Sequence, residues 1–164
     1  MPSSFPARPC ERVETDLYDF QGRKYIIVVD YYSRWFDIKE LSDETSHSVI
    51  KALKEVFATH GIPDVIMSDN GPRYSAEAFW QFAAAYHFTH VTSSPKFPQA
   101  NGEVERAVRT AKSMLRKNDI FSALLTYRST PLQNGYSASE LLMERRLQTQ
   151  LPTHPANLYP NVQI

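Results

Sequence analysis

Residues 13–41, VETDLYDFQGRKYIIVVDYYSRWFDIKEL, determine the architecture of this chain. The segment 25–32, YIIVVDYY, is rich in β-branched and aromatic residues, which is typical of a buried strand. The segments 13–18 and 35–41 also have strand character, and Ser33-Arg34 forms a turn between the last two. These residues therefore predict a meander of three strands at the start of the domain.

Helix and strand signals alternate after the meander. Residues 45–60 carry apolar side chains at the 3.6-residue period of an amphipathic helix, which Gly61 and then Pro63 end. Residues 65–68 and 88–92 are predicted strands. The helix predicted between them starts at a cap formed by Ser75 and extends to residue 86.

The rest of the chain is predicted to be helical after one loop. Prolines in residues 93–100 indicate the loop, and Asn101 is then a cap for a long helix that reaches about residue 117. Further helices are predicted over residues 121–127 and from Ser137, where SASE is a capping box. The whole pattern predicts an α/β fold, a five-stranded mixed sheet flanked by helices on both faces.

Length and composition indicate one globular domain. The chain has 164 residues, 18 basic and 18 acidic side chains and a formal net charge of zero. We expect an extended lead-in over residues 1–11, the domain over residues 12–148 and a tail or linker over residues 149–164. Cys10 is the only cysteine, which excludes an internal disulfide and favours a reducing compartment. No apolar run is long enough for a membrane span.

Three acidic residues are the main functional signal. Asp16 lies within the first predicted strand, Asp69 at the end of the fourth, and Glu105 in the first turn of the long helix. Carboxylates that converge at one end of a small sheet suit a hard cation such as Mg²⁺. Two such ions can stabilise the attacking and leaving oxygens of an in-line displacement at a phosphate.

Plainer interpretations of these acids stay open. Each acid taken alone is more often a turn residue or a surface charge, and residues 69–72, DNGP, are also ordinary turn chemistry. Asp19, Asp30 and Asp37 are competing acids. Asp30, inside a buried strand, is a candidate structural partner of a nearby cation or hydroxyl.

The long helix is predicted to carry two stripes. An apolar stripe is expected to pack on the sheet and consists of Val104, Val108, Ala111 and Leu115. One position round, Glu105 heads a row of cations on the exposed face, namely Arg109, Lys112 and Arg116. A carboxylate followed by cations suits a phosphodiester whose flanking backbone is held by phosphate contacts. An ordinary solvated helix face would have the same pattern.

A zinc site is poorly supported by the sequence. His87 and His90 have a metal-like spacing, but Cys10 is the only cysteine and no paired ligands follow. Core or surface histidines are the better interpretation. The sequence also has no Gly-rich phosphate loop and no nucleophile motif.

Five ordered blocks resemble the catalytic core of retroviral integrases, and more closely that of gypsy-type LTR retrotransposons. They extend over roughly residues 12–152 and consist of TDLYDFQGRKYIIVVDYYSRW, HGIP, SDNGP, TSSPKFPQANGEVERAVRTAK and YRSTPLQNGYSASELLMERRL. The resemblance implies a ribonuclease H-like fold and a two-metal polynucleotidyl transferase, with Mg²⁺ or Mn²⁺ held by Asp16, Asp69 and Glu105. The implied reactions are removal of nucleotides from the 3′ ends of element DNA and strand transfer into a target.

The resemblance also implies partners. We expect double-stranded DNA, two metal ions per active site and a second copy of the chain, with no membrane and no small-molecule substrate. The protein is expected to be intracellular, and nuclear when it acts. DNA contacts are expected from six residues: Asn70, Lys96, Asn101, Arg109, Lys112 and Arg116.

Two other functions are weighed against catalysis. A domesticated or fragmentary relative could serve as a nucleic-acid or protein-binding module with inherited acids. The resemblance includes no counterpart of the family's zinc-binding N-terminal domain or basic C-terminal domain, which favours this alternative for the isolated core. A ribonuclease H-type nuclease would share the fold and the metals, but the blocks at residues 97–105 and 127–146 point away from it.

Overall fold

A five-stranded mixed sheet with helices on both faces forms the protein. The computed structural model describes residues 5–92, 102–117 and 119–162. The strand order is β3-β2-β1-β4-β5, with β1 to β3 an antiparallel meander and β4 and β5 added in parallel. The strands are β1 (Arg12–Phe20), β2 (Arg23–Asp30), β3 (Phe36–Leu41), β4 (Val65–Ser68) and β5 (Thr89–Thr92). The predicted sheet is confirmed.

Six α-helices and one 3₁₀ helix are described in the structure. They are α1 (Ser46–His60), α2 (Pro72–Ser75), α3 (Glu77–Tyr86), α4 (Gly102–Met114), α5 (Ile120–Ser129) and α6 (Ala138–Met143), followed by a 3₁₀ helix (Pro155–Leu158). Gly61 ends α1 with φ near 85°, and Ser137 starts α6 with the predicted capping box. No helix in the described ranges is long and apolar enough to cross a membrane.

The two faces of the sheet have separate apolar cores because β2 alternates. Ile26 and Val28 pack with α1, α2 and α3 on one face. Ile27 and Val29 pack on the other face, against α4 and α5. Both cores are well buried, since Ile26, Ile27 and Val29 each have 0% of their surface exposed. The buried sheet therefore fixes where β1, β4 and α4 lie relative to one another.

Two predicted helix details are wrong. Ser75 does not cap α3; it is the last residue of the short helix that Pro72 starts, and Ala76 is the N-cap instead. Helix α4 ends at Met114 rather than near residue 117. The reason is the next helix, because Asp119 caps α5 by accepting a hydrogen bond from the Ser122 amide. The predicted loop over residues 93–100 and the Asn101 cap lie outside the described residues.

The apolar stripe of α4 is shifted from the predicted one. Ala111 is buried as predicted, but Leu115 is half-buried in the turn after the helix. Among the described side chains of α4, the core-facing ones are Ala107, Ala111 and Met114. The predicted members Val104 and Val108 have side chains outside the described set. Met114 replaces Leu115 because the helix ends one residue before it.

Candidate active site

Strands β1 and β4 bring two of the three acids together. Their parallel register pairs Glu14 with Met67. Asp16 and Asp69 each lie two residues further along their strands, so Asp16, in the middle of β1, lies beside Asp69, which directly follows β4. Side chains alternate across β1, and Tyr18 packs in the core on the α4 face. Asp16 therefore points towards α4, which carries the third acid.

The three predicted acids line one cleft. Its volume is about 390 Å³, and its walls come from β1, the end of β4 and the exposed side of α4. Seven of the described residues line it: Glu14, Thr15, Asp16, Asp69, Glu105, Arg109 and Lys112. The structure thus places two of the predicted cations beside the acids. The cleft combines negative charge at its base with positive charge on one wall.

Lys112 bridges α4 and the acidic strand. Its Nζ lies 3.5 Å from Asp16 Oδ2 and 5.4 Å from the centre of the Tyr18 ring. Both side chains of the ion pair are more than a third exposed, at 47% and 36%, so water screens the attraction. This ammonium neutralises one of the acids when no other cation is bound.

Asp69 occupies a tight turn after β4. The Gly71 amide donates to Asp69 Oδ1 at 2.9 Å, and the Ser68 hydroxyl donates to the Asp69 carbonyl at 2.8 Å. A Cβ at position 71 would lie 2.9 Å from Asp69 Oδ1, closer than side chains approach each other. The turn interpretation and the site interpretation of this segment are therefore compatible, because the turn orients the carboxylate.

A buried polar network supports the floor of the cleft. His90 Nε2 lies 2.6 Å from Ser68 Oγ, and Thr15 Oγ1 donates to the Tyr74 hydroxyl at 2.7 Å. Burial lowers the pKa of His90 and so favours the neutral ring. His87 is exposed and ends α3 in a left-handed conformation. The contact with Ser68 agrees with a structural role for His90.

Glu14 is a cleft residue that the sequence analysis missed. It lies two residues before Asp16, so the period of a strand places both on the same face. The Tyr31 hydroxyl donates to Glu14 Oε2 at a long 3.5 Å. Burial and then the charges of Asp16 and Glu105 raise the pKa of Glu14 to about 7, with only the Tyr31 hydrogen bond opposing them. Applying the strand period to every acid of residues 13–18 would have found it.

Two other predicted DNA contacts, Asn70 and Arg116, are described in the structure and do not line the cleft. Arg116 is exposed in the turn after α4, where its amide donates to the Ser113 carbonyl. Asn70 is exposed beside Asp69 but does not line the cleft. Lys96 and Asn101 lie outside the described residues.

The competing acids have structural partners. Asp30 is buried and accepts hydrogen bonds from the Ser33 hydroxyl at 2.6 Å and the Cys10 amide at 2.9 Å. Asp37 lies 3.0 Å from Arg128 and 3.0 Å from His60. Asp19 is exposed and pairs with Lys24 at 2.9 Å. Asp19, Asp30 and Asp37 are therefore engaged in contacts outside the cleft, unlike the acids that line it.

The donors of the cleft suit a hard divalent cation by their chemistry, since each is a carboxylate oxygen. Their arrangement is more open than a coordination shell. Within residues 5–92, 102–117 and 119–162, no three His, Cys, Asp or Glu side chains lie close enough to share one metal ion. Asp16 is paired with Lys112, and one oxygen of Asp69 is held by the Gly71 amide. Metal binding would therefore require these carboxylates to turn inwards.

Comparison with known structures agrees with this architecture. The chain superposes on the integrase catalytic core of HTLV-2 in complex with magnesium, in its dimeric form, with a TM-score of 0.67 and 26% identity over 82% of this chain and 97% of that one. It also superposes on a chain of the simian T-cell lymphotropic virus intasome, with a TM-score of 0.75 and 24% identity over 93% of this chain and 61% of that one. The ribonuclease H-like fold expected from the sequence is confirmed.

Sequence comparison gives the family. The Pol polyprotein of feline endogenous virus ECE1 is 34% identical over 136 residues, which is 75% of this chain and 13% of that protein. The chain thus spans between 6% and 13% of the length of the curated relatives that it matches. The family model described as integrase core domain matches residues 6–98, which include Asp16 and Asp69 and stop before Glu105. Since that match exceeds half of the chain, this protein belongs to the integrase core domain family.

Proposed function

We propose that this domain is a metal-dependent polynucleotidyl transferase that processes the 3′ ends of an element's DNA and joins them to a target. One observation carries the proposal. Asp16, Asp69 and Glu105, which come from three separate elements, meet in one cleft beside Arg109 and Lys112. The family membership supports the reaction class. The HTLV-2 core in complex with magnesium supports the use of this ion, because that domain is a structural relative.

In this proposal, the acidic residues of the cleft bind metal ions and its basic residues bind DNA phosphates. Asp16, Asp69 and Glu105 would hold Mg²⁺ or Mn²⁺, and two such ions supply stabilisation of the attacking and leaving oxygens. Lys112 would leave Asp16 and contact a phosphate flanking the scissile one. Arg109, on the same wall, would hold the next phosphate along the strand. Glu105 closes the cleft from α4.

Both reactions exchange one oxygen at phosphorus for another. In end processing, a water oxygen bonds to the scissile phosphorus, the bond to the 3′ oxygen breaks, and that oxygen takes a proton to become the new 3′-hydroxyl. In strand transfer, this hydroxyl attacks a target phosphodiester, loses its proton, and displaces the target's own 3′ oxygen. The carboxylates would orient the attacking oxygen in both steps.

The remaining assignments are also part of this proposal. Gypsy-type LTR retrotransposons are the proposed source because the sequence blocks resemble theirs most. Double-stranded DNA and a second copy of the chain are the proposed partners, because two DNA ends require more than one active site. Multimers among relatives support this, since the HTLV-2 core has a dimeric form and the simian virus chain is part of an intasome. Action on chromosomal DNA would take place in the nucleus.

A binding module is the second candidate, and one observation favours it. The described carboxylates are engaged by Lys112 and by the Gly71 amide rather than gathered into a coordination shell. A domain of this kind would bind nucleic acid through the cations of α4 without cleaving it. Metal-dependent catalysis separates the two candidates.

Disintegration of a branched DNA in Mn²⁺ tests the proposal, because this reaction requires least of the family's other domains. The parent chain and Glu55→Gln, an exposed position of α1 on the opposite face, should both resolve the branch. Glu105→Gln should not. Activity absent from all three proteins despite bound Mn²⁺ would favour the binding module. Cleavage of the RNA strand of a hybrid would indicate a ribonuclease H-type nuclease instead.

A further inference from the structure

A second cleft lies beside α4, separate from the acidic cleft. Its volume is about 490 Å³, and its walls come from the N-terminal segment, the turn after β2, α4, α5 and the loop that follows α5. Helix α4 lines both clefts, but with different residues. Glu105, Arg109 and Lys112 line the acidic cleft, whereas Arg106 and Thr110 line the second one. A DNA end that lies across α4 could therefore contact both.

The second cleft is positively charged. Ten of the described residues line it, and they include two arginines, Arg34 and Arg106, and no acidic residue. This imbalance contrasts with the chain as a whole, which has equal numbers of basic and acidic residues. Arg106 is exposed on α4, and Arg34 is half-buried at the turn after β2. Such a cleft attracts an anion and disfavours an approaching cation.

Aromatic rings form the walls between the two charges. The Phe5 and Tyr32 rings are 6.3 Å apart, and the Arg34 guanidinium lies 5.4 Å from the centre of the Phe5 ring. Tyr127 is fixed from both ends, since its hydroxyl donates to the Arg34 carbonyl at 3.0 Å and its ring packs 4.6 Å from Phe36. These flat aromatic faces are suited to stacking.

The arginines, aromatic rings and carboxamides of the second cleft together indicate which class of ligand it binds. Guanidinium groups bind phosphate, and aromatic and guanidinium planes stack on unpaired bases. Two carboxamides also line the cleft, Gln133 and Asn134. Asn134 Oδ1 accepts from the Tyr136 amide at 2.9 Å, so its NH₂ group and the Gln133 carboxamide are the groups that can pair with base edges. A free phosphate would use the arginines alone and leave the rings without a role. A duplex keeps its bases stacked inside the helix and could not offer them to the rings.

We propose that the second cleft binds the unpaired nucleotides at a DNA end, on the strand complementary to the one held in the acidic cleft across α4. The role in integration rests on the proposed function, but the binding itself does not. Unpaired nucleotides arise when one strand of a DNA end is shortened. The cleft would then hold the overhanging strand away from the reacting phosphate.

Binding of a labelled single strand of about ten nucleotides, measured by fluorescence anisotropy in EDTA, tests this proposal without metal. Arg106→Gln should weaken binding about fivefold to tenfold, through the loss of one phosphate contact. Tyr32→Leu should weaken it about tenfold, through the loss of one stacking face. Lys51→Gln, which changes an exposed cation of α1 on the opposite face, should bind like the parent.

Two further measurements use the parent protein, so their results do not depend on whether a variant folds. A photoactivatable base analogue in the strand should crosslink to Tyr32 or Tyr127, as mapped by mass spectrometry. A polyglutamate peptide of equal charge should compete poorly. Equal binding by the parent, Arg106→Gln and Tyr32→Leu would overturn the proposal, as would equal competition by polyglutamate. Normal single-strand binding without disintegration activity would instead count against the proposed function alone.

Discussion

Lys112 lies 3.5 Å from Asp16 and places a cation of α4 directly over the acidic strand β1. The contact joins the two halves of the site, because Asp16 belongs to the acids at the base of the cleft and Lys112 belongs to its basic wall. In the protein alone, each charge neutralises the other. When DNA and divalent ions are present, we expect the ions to take over the carboxylate and the ammonium to become available to a phosphate.

Replacing Lys112 by glutamine is expected to weaken DNA binding uniformly across sequences. The slope of log K against log salt concentration should become shallower by about one, because one phosphate contact is lost. Titrations of a labelled duplex at several salt concentrations measure this slope. The matched variant Lys51→Gln on α1 should keep the parent slope. An unchanged slope in Lys112→Gln would show that this ammonium stays on Asp16 when DNA binds.

Replacing Glu14 by glutamine is expected to stabilise the metal-free protein at alkaline pH. The folded-state pKa of about 7 exceeds the ordinary value of 4.5, so the folded protein keeps a proton that the unfolded chain releases between these values. Stability therefore falls as pH rises from 4.5 to 7, and the full penalty is present above 7. Glutamine removes the charge and should recover about 1–3 kcal/mol.

Thermal unfolding in EDTA at pH 8 and pH 5 checks this effect. Glu14→Gln should melt higher than the parent at pH 8, and the difference should shrink at pH 5. Glu55→Gln, on the far face of the protein, should change neither temperature. A lower melting temperature for Glu14→Gln at pH 8 would mean that the Glu14 carboxylate is stabilised in the fold rather than destabilised by its neighbours.

Replacing Gly71 by alanine is expected to damage the site while leaving the fold intact. The added Cβ would meet Asp69 Oδ1 at 2.9 Å, so the carboxylate must move, but no backbone need shift. We expect the melting temperature to stay within about 2 °C of the parent, because a small side-chain displacement costs well under 1 kcal/mol. Affinity for Mn²⁺ should fall about tenfold, as it does when groups that orient metal ligands are disturbed. Unchanged Mn²⁺ affinity would show that the position of Asp69 is not critical.

Replacing Arg128 by methionine is expected to destabilise the fold. Arg128 donates to Asp37 at 3.0 Å and to the Phe36 carbonyl at 2.7 Å, and its guanidinium lies 4.0 Å from the centre of the Trp35 ring. Its removal leaves His60 as the ion-pair partner of the largely buried Asp37. A loss of about 3 kcal/mol in the free energy of unfolding is expected, as for other buried pairs that lose one partner.

Urea denaturation of Arg128→Met measures that loss. Arg8→Met is a suitable control, because the Arg8–Asp64 pair is more than half exposed and contributes little. Burial opposes ionisation of Asp37, but the His60 hydrogen bond and the Arg128 charge outweigh it and lower the pKa of Asp37. The contribution of the pair is therefore lost as pH falls through that lowered pKa. Equal stability of Arg128→Met and the parent would contradict a structural role for this pair.

The sheet and the acid positions could be predicted because their signals are local. β-branched residues indicated the meander, and the fourth strand ended at Asp69 in a turn that the segment 69–72 encodes. The helical period placed Arg109 and Lys112 beside Glu105, and the structure brings all three to one cleft. The end of α4 before Arg116 was not predicted, because the cap at Asp119 that starts α5 was not recognised. Ser75 was misassigned because Pro72 starts a helix of its own.

Long-range features could not be predicted in the same way. The second cleft brings together residues from near position 5 to position 134, and no periodicity connects them. The partners of Asp37 come from α1 and α5, so only the packed fold shows that this acid is structural. The high pKa of Glu14 follows first from burial in the packed fold and then from the charge of Asp16, with a smaller contribution from Glu105 on a different element. Such effects follow from tertiary contacts that spacing along the chain does not specify.

Catalysis as proposed requires Asp16, Asp69 and Glu105 to close around divalent ions, although the described carboxylates are held apart by other contacts. Counting bound Mn²⁺ by electron paramagnetic resonance, with a DNA duplex present, is the sharpest test of this closure. We predict two ions per chain in the parent, fewer in Glu105→Gln, and none when all three acids are replaced by their amides. Equal Mn²⁺ binding by the parent and the triple variant, or none by the parent, would contradict the proposed metal site.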